Sequence, residues 1–246
     1  MSNGIAPDHV EAGGGSFQGA VRAMFDGIAP GYDRFNRYAS LGMDEGWRRA
    51  AVRELGASSG RVLDIATGTG DLAFAAERAG AEVVGCDFAA EMIRIAASKA
   101  TEDCARSAFH VGSAGDLPYA GGSFAGALSA FAMRNVRTIL GPVASEMHRV
   151  LEPGGKVVIL EFTEPSIAPL RWGHHLYTRV LIPRIGGWLT GSREPFDYLN
   201  RSIDEWLSPD EFADVLRAAG FDQVGYRLLS FGTVALHWGT RASGSD

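Results

Sequence analysis

Short apolar runs alternate with amphipathic stretches along most of the chain, and that alternation predicts an α/β sheet with helices on both faces. Arg61 to Ile65, Glu82 to Cys86, Phe109 to Val111, Phe124 to Phe131 and Lys156 to Phe162 read as strands. Val157-Val158-Ile159-Leu160 shows no polar alternation, as expected of a strand buried on both sides in a parallel sheet. Between the strands, Leu72 to Ala79, Glu91 to Lys99 and Arg137 to Val150 carry apolar residues at helical spacing. A later helix, Pro209 to Ala219, starts behind Ser208 as N-cap and stops at Gly220. Strands near Gln223 to Leu229 and Thr233 to Trp238 complete the sheet. The predicted class is α/β: a doubly wound, mostly parallel, seven-stranded, Rossmann-like sheet.

The periphery of this pattern is helical. Residues 1–16, which include Ala12-Gly13-Gly14-Gly15, read as a disordered tail, and 17–246 as a single domain. From Phe17 to about Arg49, Val21, Met24, Phe25 and Ile28 recur at helical spacing, break at Pro30-Gly31 and resume through Tyr32, Phe35 and Tyr38. We therefore expect a helical cap over 17–50, and a helical insertion or lid over 165–205, after the fifth strand. No internal repeat is present.

Composition narrows the function without defining it. A formal net charge of −6 on 246 residues argues against a nucleic-acid partner held by a general basic surface. Cys86 and Cys104 lack metal-ligand spacing and read as reduced, buried thiols. No apolar run is long enough to span a bilayer, and Met1-Ser2-Asn3-Gly4 lacks the blocks of a signal peptide, so the expected location is cytoplasmic.

The chemistry concentrates in Val62-Leu63-Asp64-Ile65-Ala66-Thr67-Gly68-Thr69-Gly70-Asp71, an apolar strand that ends in a glycine-tight turn opening a helix. Gly68 and Gly70 let the backbone approach a nucleoside, and Thr69 offers a hydroxyl and an amide. The glycine pattern alone would also admit a dinucleotide. Asp64 and Asp71, however, stand where a pyrophosphate would lie, and two carboxylates there repel phosphate but suit a cation. S-adenosylmethionine, with a sulfonium, an ammonium and no phosphate, fits. Asp87, seventeen residues past Gly70 at the end of the second strand, is placed to accept ribose hydroxyls, with Phe88 and Met92 positioned to pack on adenine. The Gly112 to Pro118 loop brings Ser113, Ala114 and Asp116 near the adenine edge.

At these residues the chain resembles class I S-adenosylmethionine-dependent methyltransferases, and over nearly its whole length it resembles the ubiquinone/menaquinone biosynthesis C-methyltransferase family. The segments that carry the branch resemblance are Met24 to Asn36, Ser40-Leu41-Gly42 with Trp47-Arg48, Val62 to Ala73, Phe131-Ala132-Met133-Arg134-Asn135-Val136, Arg149 to Gly155 leading to Leu160-Glu161-Phe162, Leu181 to Gly186, Tyr198 to Ile203 and Gly232 to His237. Tyr32-Asp33-x-x-Asn36 and Arg134-Asn135 are the specific blocks. By resemblance, cofactor contacts fall on Thr69, Asp87, Ser113, Ala114 and Ala130, beside Asp64, Ala66, Gly68, Gly70 and Phe88. Ala130 stands where many relatives have serine, so only its backbone can take part, and Ala66 replaces the first glycine of the general turn. The implied reaction is methylation of a ring carbon of a prenylated quinol, with demethylmenaquinol favoured. A ubiquinone-pathway benzoquinol, a soluble small-molecule acceptor, and a non-catalytic nucleotide-binding module are the rivals.

Carbon methylation of a quinol needs a phenolate, and the catalytic roles follow from that need. Arg134, just past the fourth strand at the carboxyl edge of the sheet, is the candidate to stabilise the phenolate and orient a water as proton acceptor. Asn135 is expected to hold the carbonyl or the arginine, and Tyr32 to meet the sulfonium or the quinol. His237, within an apolar strand, reads as a core histidine, and His174-His175 face different ways with no further ligand, so no metal is expected. Between Pro165 and Arg193 there is no acid, while Arg171, Arg179, Arg184 and Arg193 mix with Trp172, Tyr177 and Trp188. Such a segment suits peripheral contact with anionic lipid on the inner face of the cell membrane. A homodimer interface or a lid is the alternative use of the same residues.

Overall fold

A computed structural model describes residues 14–56, 60–165, 169, 172–173, 177, 184 and 194–243. Seven strands form one sheet: β1 (Arg61–Ile65), β2 (Glu82–Asp87), β3 (Ala108–Val111), β4 (Phe124–Ala130), β5 (Leu151–Phe162), β6 (Phe221–Leu229) and β7 (Val234–Arg241). Their spatial order is β3-β2-β1-β4-β5-β7-β6. The first five run parallel and β7 is antiparallel to both β5 and β6. Among the described residues the helices are α1 (Gly14–Ile28), α2 (Tyr32–Ala39), α3 (Asp44–Leu55), α4 (Asp71–Arg78), α5 (Ala90–Glu102), α6 (Leu140–Val150), α7 (Glu194–Asp204) and α8 (Pro209–Ala218).

The expected strands are all present, and the differences at their ends have local causes. β5 begins at Leu151 rather than Lys156, because Leu151 pairs with Phe124 across a register shift that absorbs the Gly154-Gly155 bend. α6 begins at Leu140; the preceding Met133–Ile139 is a 3-10 segment interrupted by a kink at Val136. The helix expected behind Ser208 is closed by a full capping box, in which Ser208 Oγ accepts from the Glu211 amide at 3.3 Å and Glu211 accepts from the Ser208 amide at 2.8 Å. The cap divides at Pro30-Gly31 as its sequence requires, through a 3-10 turn over Ala29–Gly31. α1 starts at Gly14, inside the stretch expected to be a tail; residues 1–13 lie outside the described residues.

Alternation along each central strand splits the core between the two faces of the sheet. Leu63, Ile65, Val157 and Ile159 join Phe124, Met147 and Phe212 on one side. Val62, Val158 and Leu160 meet Trp47, Ala50 and Ala51 of α3 on the other. Asp64 falls in register with Val62 and therefore on the α3 side, directly under the helical cap. The carboxyl ends of β1, β2 and β4 open together beneath α1, α2 and α3, which is where an open parallel sheet binds ligands.

Candidate active site

The turn after β1 is held in conformations that few side chains tolerate. Ala66 has φ +55°, Gly68 +55° and Gly70 +88°. At Gly70 a Cβ would also lie 2.9 Å from Phe74 and 3.0 Å from Phe109, so glycine is required there for space as well as for backbone. Gly70 caps α4 and lines neither cavity described below; its part is to shape the turn.

Asp87 organises the turn from the neighbouring strand. Its Oδ2 accepts the Gly68 amide at 2.9 Å and its Oδ1 accepts the Ala89 amide at 2.8 Å. Burial, only partly offset by these amides, raises its pKa to about 6. Asp64 is buried more deeply, at 1% exposure. Its Oδ2 accepts the Thr67 hydroxyl at 2.6 Å, while Oδ1 has no partner among the described residues. Desolvation lifts this carboxyl to about 7.

Asp71 departs from the expectation of an open carboxylate. Lys99 of α5 reaches it at 2.7 Å and Arg48 of α3 lies 3.4 Å away. Lys99 also pairs with Asp33 of α2 at 3.0 Å, and Asp33 accepts the Thr69 hydroxyl. The Thr69 hydroxyl is thus committed to the cap, and Asp71 belongs to a charge network that fastens the cap to the turn. Asp71 still lines the large cavity beside Asp64, with its charge paired, whereas Asp64 and Asp87 make no ion pair among the described residues.

Two adjoining cavities run along this edge. The larger, about 460 Å³, is lined by the polar side chains of Asp64, Asp71, Thr69, Arg48, Tyr32 and Arg134 and by aromatic and aliphatic groups. The smaller, about 50 Å³, is bounded by Asp87, Phe88, Met92 and Asn135. Tyr32, Ala66, Gly68 and Ala130 line both, so the two are parts of one cleft. The structure therefore brings together Asp64, Ala66, Gly68, Thr69, Asp87, Phe88 and Ala130 with Tyr32, Arg134 and Asn135. Ser113 and Ala114 line neither cavity; the Ser113 hydroxyl accepts the Gly115 amide of its own loop at 3.3 Å.

Arg134 stands at the far side of the cleft with its charge already matched. Its Nη1 donates to Glu161 Oε1 at 2.9 Å and its amide to Glu161 Oε2 at 3.2 Å. Glu161 is wholly buried. Nη1 also donates to the Phe131 carbonyl, Nε to Ser202 Oγ at 3.2 Å, and the guanidinium lies over the Phe162 ring at 5.3 Å. Phe131 and Phe162 stack with centroids 4.5 Å apart. Burial raises the pKa values of Tyr32 and Tyr198, and the Arg134 charge opposes the rise in both. Asn135 accepts from Tyr198 at 3.4 Å, so its side chain is held by α7 rather than by Arg134.

Sequence reasoning missed Arg48, Glu161 and Tyr198. An acid inside the apolar run Val157 to Phe162 was the available signal for Glu161, since a lone buried charge demands a partner. His237 is a core residue, as expected: it is 1% exposed, bonded through Nε2 to the Pro209 carbonyl at 3.1 Å, and pushed down to about 4 by burial. Both cysteines are free; Cys86 is buried but Cys104 is exposed, correcting the expectation for the second. His174-His175 and most of 165–193 lie outside the described residues.

The sheet order, the strained turn after β1 and an unpartnered buried carboxylate facing a nucleoside-sized cleft define an S-adenosylmethionine-dependent methyltransferase. The sequence profile of the ubiE/COQ5 methyltransferase family matches residues 15–241, and the chain belongs to that family. It is 42% identical to a demethylmenaquinone methyltransferase of Deinococcus radiodurans, over 90% of this chain and 92% of the relative. It is 41% identical to that of Thermus thermophilus, over 89% and 100%. A ubiquinone/menaquinone biosynthesis C-methyltransferase of Citrifermentans bemidjiense is 39% identical over 90% and 96%. Among solved structures, the [4+2]-cyclase SpnF superposes with TM-score 0.66 at 19% identity, covering 92% of this chain and 96% of that one. A Thermotoga maritima methyltransferase gives 0.64 at 19%, covering 89% and 98%. These two likenesses speak for the fold.

Proposed function

We propose that this methyltransferase acts on a ring carbon of a prenylated quinol, converting demethylmenaquinol to menaquinol. The observation that carries the reading is the lining of the large cavity. Its lining joins Arg134 and Tyr32 to many aromatic and aliphatic groups, of which Leu41 is exposed at 73% and Phe231 at 83%. A small soluble acceptor needs no such lining; a ring with a long apolar tail does.

S-adenosylmethionine, when bound, supplies an electrophilic methyl group. The protein's part is orientation and charge. Arg134 presents a planar donor fork to the quinol oxygen and stabilises the negative charge that grows there as its proton leaves to water. Glu161 fixes the fork and keeps the resting site neutral. Tyr32 overlies the glycine turn, its ring 3.9 Å from where a Gly68 Cβ would be, and closes the cleft against water. As the ring carbon takes the methyl group the methyl–sulfur bond would break and S-adenosylhomocysteine leave; the ring proton is then lost to solvent and the oxygen takes one back, which restores the quinol.

Peripheral membrane contact at the inner face of the cell membrane follows from the same exposed groups. Among the described residues no helix is long and apolar enough to cross a membrane. Trp172, in the segment expected to meet lipid, is 72% exposed. Flotation with anionic liposomes, repeated after charge reversal at Arg179 and Arg184, tests the contact; unchanged binding refutes this segment as its source. A shift to a dimer on sedimentation without liposome binding would favour the interface use instead.

The acceptor is tested with labelled S-adenosylmethionine and a panel of demethylated naphthoquinols and benzoquinols under reducing conditions, with the product identified by mass. Transfer to the naphthoquinol is expected. Transfer to no quinol overturns the proposal.

A further inference from the structure

Among the described residues, three buried side-chain atoms have no hydrogen-bond partner: Asp64 Oδ1, His237 Nδ1 and Asn200 Oδ1. His237 belongs to the core and Asp64 to the donor end of the cleft. Asn200 has had no part so far. It stands on α7 and lines the large cavity. Its neighbours on that helix place it at the acceptor end: Tyr198 donates to Asn135 at 3.4 Å, and Ser202 accepts from Arg134 Nε at 3.2 Å. A buried carbonyl oxygen without a partner is costly, and folded proteins keep few of them. In a residue that lines a ligand cavity, such an oxygen points to a bond that the ligand completes.

The missing bond has a definite chemistry. Arg134 carries donors and no acceptor, so its fork takes the carbonyl of an oxidised quinone as readily as the oxygen of a reduced quinol. A quinol differs from its quinone by two hydroxyl protons, and reading that difference requires an acceptor in the wall. The difference matters to the reaction, because a quinone has no hydroxyl to ionise and would fill the cleft without reacting. We infer that Asn200 selects the reduced acceptor: the hydroxyl para to the one held by Arg134 donates to Asn200 Oδ1, and a quinone leaves that oxygen buried and unpaired. The inference rests on the quinol reading of the acceptor. A site built to hydrogen-bond a substrate hydroxyl rejects an analogue without it far more strongly than an apolar wall can. Asn200 is thus a specificity-determining residue, while charge stabilisation stays with Arg134.

Calorimetry on the full chain, saturated with S-adenosylhomocysteine so that no transfer occurs, tests the assignment with three ligands carrying the same short prenyl tail. They are the demethylated naphthoquinol under anaerobic reducing conditions, the matching quinone without reductant, and a naphthol that keeps the hydroxyl beside the methylated carbon but lacks the other. Wild-type protein is expected to bind the quinol at least roughly tenfold more tightly than either of the others. Asn200→Leu weakens the quinol to within about threefold of the quinone and the naphthol, and leaves those two unchanged or tighter. Asn200→Asp, which keeps an acceptor, retains the preference. Equal binding of quinol and naphthol by wild-type protein, or an equal loss for all three ligands in Asn200→Leu, overturns the assignment and leaves the quinol as acceptor. Should Asn200→Leu fail to fold by circular dichroism, the wild-type ratio and Asn200→Asp decide. If wild-type protein binds none of the three and methylates no quinol, the acceptor reading falls first and this inference with it.

Discussion

Two buried charged centres face the same cleft and are built on opposite plans. At the β1 end, Asp64 and Asp87 are desolvated without a cationic partner of their own, and both pKa values stand well above the ordinary carboxylate range. At the β4 end, Arg134 and Glu161 are equally buried but fully matched, with side-chain exposures of 4% and 0%. The first centre is incomplete until a cation arrives. The second is complete at rest and offers shape and hydrogen-bond donors without net charge. The pair thus selects a cationic donor at one end and a neutral, ionisable acceptor at the other, which is how a quinol differs from a carboxylated or phosphorylated acceptor.

The largest effect should come from breaking the matched pair. Glu161→Ala leaves Arg134 charged and alone in the core and is expected to lower unfolding free energy by about 3–5 kcal/mol in urea denaturation. Replacing both residues by apolar ones of similar size should recover most of it. A loss below about 1 kcal/mol for Glu161→Ala would show that the pair is not as closed as its geometry implies.

Arg134→Lys keeps the charge but loses the fork. We expect kcat/KM for the quinol to fall by roughly 10²-fold, with affinity for S-adenosylmethionine within about twofold of wild type. A parallel fall in donor affinity would merge the two centres into one.

The donor end should titrate. Burial disfavours the ionised form of Asp64, so its contribution to folding is fully present below the unfolded carboxyl pKa and is lost as pH rises through about 7. The ligand-free protein should therefore melt at a lower temperature at pH 8 than at pH 5.5. A bound cation reverses the preference. Affinity for S-adenosylmethionine should rise through about pH 7, and binding near pH 6.5 should release protons, measurable by calorimetry in buffers of different ionisation enthalpy. Asp64→Asn should abolish both the release and the rise.

The smallest effect is expected at Asp71, whose side chain is 32% exposed and already paired. Asp71→Asn should cost less than about 1 kcal/mol of stability and change donor affinity less than about threefold. An effect as large as that of Asp64→Asn would restore Asp71 as a ligand-facing charge.

Most of the fold was legible because its signals are local. Val157 to Leu160 could only be a doubly covered strand, and Ser208 with Glu211 wrote its own helix start. Within the site, the turn and Asp87 were readable because a nucleoside cleft depends on backbone shape and a strand-end acid at fixed spacing. The charge state of the site was not. Whether Asp71 or Asp64 meets the ligand is decided by Lys99, 28 residues further on, and by Arg48, and Arg134 is matched by Glu161 across 27 residues. Such pairings arise from tertiary packing, and no periodicity announces them.

The bond from the Trp47 indole to Ser230 joins residues 183 positions apart. Trp47 belongs to the cap, yet the hydroxyl that fixes it belongs to the turn between β6 and β7. The cap over the cleft therefore depends for this anchor on the turn that joins two antiparallel strands. Without that turn Trp47 would lack this partner, so the seating of the cap is a long-range contact of the kind that forms slowly.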